Sequence, residues 1–207
     1  MSEKQMQLDW AFGLQWIVAY GLGIALLGML AFASIWTVGE VIEENLGETA
    51  TFVAVGALFG ALIALGASGG TGLLLRSKGL SAASWIAYSV IGGALGGMLG
   101  FGVALTLFDA ETMPEALTGL VIGVSLGLAI GIGQWLTLRR LGNRANLWPL
   151  ISTLALVFAL MVGLPLGGEG RKWLSLGVIG LLAGTISGLG MMWLTRRQTA
   201  LAWRVVK

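Results

Sequence analysis

The stretch "GLVIGVSLGLAIGIGQWLTLR", residues 119–139, decides the fold. It carries no charge before its last residue, and glycine recurs every fourth position at Gly119, Gly123, Gly127 and Gly131. A bilayer core of about 30 Å is crossed by about 20 apolar residues of helix, which is the length of this run. A spacing of four puts its glycines on one helical face. The pattern occurs again at residues 56–76, "GALFGALIALGASGGTGLLLR", and at residues 176–196, "LGVIGLLAGTISGLGMMWLTR". Laid together without gaps, Gly60, Gly123 and Gly180 coincide at offsets of 63 and 57 residues. So do Ala64, Gly127 and Gly184, and the closing arginines Arg76, Arg139 and Arg196.

The segments between these runs repeat as well. Trp85 and Trp148 are 63 residues apart, and Ser89, Gly92, Gly96 and Gly100 align with Ser152, Ala155, Ala159 and Gly163. "WIVAYGLG" from Trp16 resembles "WIAYSVIG" from Trp85 with one residue of slip. The expectation is an all-α polytopic membrane protein of six transmembrane helices, arranged as three repeated hairpins at approximately 10–76, 81–139 and 145–196. The whole chain, 1–207, reads as a single membrane domain with a basic tail at 197–207, and the first hairpin is expected to have the longer outer loop. A two-helix repeat returns to its starting side, so the copies are parallel about an axis along the membrane normal. Three copies suggest a pseudo-threefold bundle.

Composition agrees with this reading. The chain is 57% hydrophobic and 11% charged with a mean hydropathy of +0.89, against about 25% charged residues in soluble domains. Six stretches lack any charge: Trp10 to Gly39, Val53 to Leu75, Leu80 to Phe108, Ala116 to Leu138, Ala145 to Gly168 and Trp173 to Thr195. With six spans, Lys4, Arg76, Lys78, Arg139, Arg140, Arg144 and the basic tail share one side. The other side holds Glu40, Glu43, Glu44, Glu48, Asp109, Glu111, Glu115 and Glu169, with Arg171 and Lys172. Lys and Arg concentrate on the cytoplasmic side, so both termini are expected in the cytoplasm of a cell bounded by this inner membrane. "AFAS", residues 31–34, has the form of a cleavage site, but the apolar run before it is longer than a signal peptide's and the leading segment is not basic. The first helix is therefore expected to be retained. The net charge of +2 is explained by this topology, and no nucleic-acid partner is inferred from it.

The glycine stripes point to helix packing. Gly60, the Gly119–Gly131 series, Gly180, Gly184 and Gly188, and Gly92, Gly96 and Gly100 form GxxxG-type faces that let backbones approach. Pro114, Pro149 and Pro165 fall at helix ends, where they are tolerated.

No ionisable residue sits at bilayer depth, which argues against proton coupling and against a strongly charged substrate. The chain has no cysteine and no histidine, so thiolate and imidazole chemistry are absent. No catalytic residues, cofactor or metal site is expected. Seven tryptophans, Trp10, Trp16, Trp85, Trp135, Trp148, Trp193 and Trp203, fall near the basic boundary and read as an interfacial aromatic belt. The polar residues that could line a path are Gln134, Thr71, Ser68 and Ser187. Of these, Gln134 is the least explained by the repeat, because Thr71 and Met191 take its place in the other copies.

Gly131, Gln134, Trp135, Leu138 and Arg139, followed by a short loop and a Trp-led helix of small residues, resemble a Gly-x-x-Gln-Trp-x-x-Leu-Arg stretch of uncharacterised multi-pass bacterial membrane proteins. The resemblance implies a membrane fold and no function. The expected role is that of a non-enzymatic scaffold, accessory subunit or membrane anchor, with membrane lipids, further copies or other membrane subunits as partners. The alternatives are a passive channel or carrier for a small neutral solute, and a protein that binds a lipid or pigment.

Overall fold

The structure is a computed structural model that describes residues 3–107, 113–167 and 171–205. Asp109, Glu111, Glu169 and Lys207 lie outside them, as do the side chains of Lys4, Arg196, Arg197, Trp203 and Arg204. Among the described residues there are no strands. Six α-helices make up the fold: α1 (Glu3–Leu46), α2 (Glu48–Arg76), α3 (Ala82–Leu107), α4 (Glu115–Leu138), α5 (Trp148–Gly163) and α6 (Lys172–Val205). Short 3-10 turns at Arg139–Leu141, Asn143–Leu147 and Leu164–Leu166 complete it. Each α-helix belongs to a segment long and apolar enough to cross a membrane, from Trp10–Ser34 to Lys172–Thr195.

Neighbours in sequence are neighbours in space, and α6 returns to pack on α1, so the six helices close into a ring. The outward surface is apolar: Leu14, Leu22, Leu26, Leu73, Phe158 and Leu181 are all more than half exposed. In water such a surface would drive association. Against acyl chains it is the matching solvent.

The ring has a basic end, where α2 and α4 finish and α3 and α5 begin, with Arg76, Lys78, Arg139, Arg140 and Arg144. Its acidic end carries Glu40, Glu43, Glu44, Glu48 and Glu115. Pro114 caps α4, Pro149 lies in the first turn of α5, and Pro165 sits in the 3-10 turn after it. Each therefore avoids the helix interior, where a missing N–H would break the ladder.

Two boundaries differ from the sequence expectation. The acidic segment "GEVIEENLGET", residues 39–49, is not a long loop. It continues α1 to Leu46, and the chain reverses through Gly47 alone, at φ +82°. The charge-free run stops at Gly39, but the residues up to Leu46 allow helix, so α1 propagates until Gly47. At the other end, Arg196 does not terminate its helix, because the α6 backbone continues to Val205.

No atom lies within 4 Å of a side chain built on Gly47, so only its backbone conformation restricts substitution. At φ +82° and ψ 171° Gly47 lies in a region that essentially only glycine adopts, and holding another residue there costs about 1–3 kcal/mol. Gly47→Val and Gly47→Asn should each lower unfolding stability by about that amount, measured by denaturant unfolding in detergent micelles. No loss in either would contradict this account of the turn.

Candidate functional site

Three tryptophans meet inside the basic half of the ring. Trp16 comes from α1, Trp85 from the first turn of α3 and Trp148 from the start of α5. Their ring centroids are 5.8 Å (Trp16–Trp85), 6.0 Å (Trp85–Trp148) and 6.3 Å (Trp16–Trp148) apart. Side chains from alternate members of a helical ring touch pairwise only where they converge on its centre. All three are essentially unexposed, at 0%, 0% and 1%. The contacts are tilted or edge-on, the arrangement that sets positive ring edges against negative faces. Phe12 extends the cluster toward the basic end at 5.9 Å from Trp16, and the Lys78 ammonium lies 5.1 Å over its ring.

This corrects the aromatic-belt reading for these three residues. Trp10 and Trp193 are exposed, as belt residues are, and Trp173 is exposed toward the acidic end. Trp135, half-buried, donates to Asn146 Oδ1 at 2.9 Å. Trp16, Trp85 and Trp148 share the belt's depth but point inward. Depth follows from position in the sequence, whereas the inward direction is decided by packing.

A buried indole N–H needs an acceptor, since no water is at hand to replace one. The even-numbered helices supply them. Trp85 Nε1 donates to Thr71 Oγ1 at 3.1 Å, Trp148 Nε1 to Gln134 Oε1 at 2.7 Å, and Trp16 Nε1 to Ser187 Oγ at 3.2 Å. The acceptors are satisfied in turn. Thr71 donates to the Ala67 carbonyl and Ser187 to that of Gly184. The Gln134 amide Nε2 donates to Ser89 Oγ at 3.0 Å, and Ser89 donates to the Trp85 carbonyl. Gln134 thereby ties α4 to both α3 and α5.

Three of the four candidate lining residues, Gln134, Thr71 and Ser187, are thus brought to the indole cluster as its acceptors. Ser68 is fully buried on α2, and its hydroxyl has no partner among the described residues. Met191, which aligns with Gln134, is fully buried and apolar. Ser187, one turn earlier on α6, accepts the third indole in its place. Arg76 closes α2, Arg139 follows α4, and both are exposed.

Toward the acidic end the ring is not filled. An apolar cavity of about 170 Å³ is walled by all six helices, with Phe32, Phe59, Phe101, Ile122, Leu160 and Ile179 among its lining. Lys172 and Ser175 are the polar groups in its wall, and the Lys172 ammonium lies 3.9 Å over the Phe32 ring. Among the described residues no group of acidic side chains could hold a metal ion.

No protein-family model, curated protein or solved structure matches the chain.

Hydrogen bonds between membrane helices are worth about 1 kcal/mol, with a maximum near 2. Gln134→Met should lose roughly that much by stranding the Trp148 N–H, and Trp148→Phe should lose it by stranding Gln134 Oε1. The double variant should lose less than the sum of the two, read as a coupling in a double-mutant cycle of unfolding. Strict additivity would mean the bond adds nothing to stability.

Proposed function

We propose that the protein is a non-enzymatic, multi-pass protein of the cytoplasmic (inner) membrane that serves as a scaffold, accessory subunit or membrane anchor. The observation that carries this reading is the closed axis. Trp16, Trp85 and Trp148 fill the centre of the ring, and their N–H groups occupy Thr71, Gln134 and Ser187, three of the four polar side chains that could otherwise have lined an aqueous route. A path along Gln134, Thr71, Ser68 and Ser187, the alternative for a small neutral solute, would require the indoles to part.

The architecture belonging to this proposal is three repeated hairpins about a pseudo-threefold axis, packed through small residues. In support, Thr71–Trp85 and Gln134–Trp148 are equivalent bonds with the same separation of 14 residues. A methyl built on Gly60 would strike the Gly93 carbonyl oxygen, and one on Gly92 or Gly96 would strike the α4 backbone. Methyls on Gly119, Gly123 and Gly127 would meet the α5 backbone, and one on Gly180 the Gly21 carbonyl. Gly131, Gly184, Gly188 and Gly100 also face neighbouring helices closely. Such close approach is how helices associate where lipid offers no hydrophobic driving force. The excess of Arg and Lys at one end favours placing that end, and both termini, in the cytoplasm.

Native purification in mild detergent should give a homo-oligomer or a co-purifying membrane subunit. A lone monomer would remove the scaffold reading. In liposomes, flux of small neutral solutes should not exceed that of empty vesicles, and flux above that level would favour the passive route.

The apolar cavity favours a second reading, binding of an apolar small molecule or a lipid chain. At about 170 Å³ it matches engineered cavities of roughly 150 Å³ that hold benzene-sized molecules. Leu160→Phe, which narrows it far from the indoles, should reduce the lipid retained by the purified protein in native mass spectrometry. Unchanged retention would speak against an occupied cavity.

A further inference from the structure

A second cavity, of about 130 Å³, lies at the basic end, between the start of α3 and the end of α4. Its wall differs in kind from that of the apolar one: it includes Ser81, Ser84, Tyr88, Thr137, Arg139 and Arg140. The Thr137 hydroxyl is not part of the open wall: like that of Ser68 on α2, it is buried and has no hydrogen-bond partner among the described residues.

Among the described side chains the surrounding charge is basic. Arg139 and Arg140 are exposed, and the described acidic side chains lie at the opposite end of the ring. Ser81 caps α3: its Oγ accepts from the Ser84 N–H at 3.2 Å and its carbonyl from the Trp85 N–H at 3.1 Å. The cap fixes the N-terminus of a 26-residue helix beside the cavity, so the positive end of its dipole adds to the guanidinium charge.

We propose that this cavity binds a phosphate group, with Arg139 and Arg140 as charge-assisted donors. Guanidinium forks match phosphate geometry, which a lysine does not. The same chemistry is offered by the headgroup of an anionic phospholipid and by free inorganic phosphate. Basic pockets between membrane helices at this kind of boundary take lipid headgroups.

The test uses the full chain in nanodiscs of equal phosphatidylglycerol and phosphatidylcholine, released into native mass spectrometry. Wild type should retain phosphatidylglycerol preferentially. The paired substitution Arg139→Gln with Arg140→Gln should lower that retention by roughly tenfold. Arg139→Gln or Arg140→Gln alone should lower it in part. Arg76→Gln, at the same boundary but outside the cavity wall, should leave it unchanged. In a second arm, inorganic phosphate is titrated into the protein in phosphatidylcholine-only nanodiscs and followed by calorimetry. Saturable binding lost in the same variants, without lipid preference, supports the site with free phosphate as its ligand. Absence of both lipid preference and phosphate binding overturns the proposal. So does an Arg76→Gln loss equal to that of the Arg139 and Arg140 pair, which would show diffuse surface charge. The two single substitutions test the site even if the paired variant does not fold.

Discussion

Three indoles at the centre of a membrane bundle impose a requirement that the rest of the basic half meets. Each carries one N–H, and no water is available to take it. An acceptor must reach inward from a neighbouring helix at the depth of each ring. Thr71, Gln134 and Ser187 do so from α2, α4 and α6. The odd helices supply the rings and the even helices the acceptors, so every bond joins two neighbouring helices of the ring. A packing preference among aromatics is thereby converted into a fixed rotation of all six helices. A helix turned by one residue would take its polar atom out of reach.

The two halves of the ring follow opposite solutions. Near the basic end, large side chains fill the centre and the backbones are held by polar bonds. Near the acidic end, phenylalanines and branched residues stand back from the axis and leave open apolar space. The structure is therefore closed at one level and accessible at another.

Much of this was legible in the residues, and what was not has a physical reason. The six spans follow from charge-free runs, because transfer of charge into hydrocarbon is prohibitive whatever the tertiary structure. Trp16, Trp85 and Trp148 stand at aligned positions in the sequence, but depth alone cannot distinguish a ring facing lipid from one facing the axis. The decisive hint was available: Thr71 and Gln134 stand 14 residues before Trp85 and Trp148, a spacing that places donor and acceptor at one level across a hairpin turn. Gln134 looked anomalous because its counterpart on α6 is Met191. The structure resolves this by moving the acceptor one turn back to Ser187, a compensation no alignment of single positions would display. The cavity beside Arg139 was not legible, because it joins the start of one helix to the end of another.

The single-residue reversal at Gly47 has a mechanical result. α1 runs for 44 residues, about 66 Å at 1.5 Å per residue, while a hydrocarbon core spans about 30 Å. The charge-free run ends at Gly39, and the helix continues to Leu46 before α2 begins at Glu48. Glu40, Glu43 and Glu44 are therefore carried on a stiff mast. Their charge stands at a set distance and bearing from the bundle, where a flexible loop would have smeared it into an average.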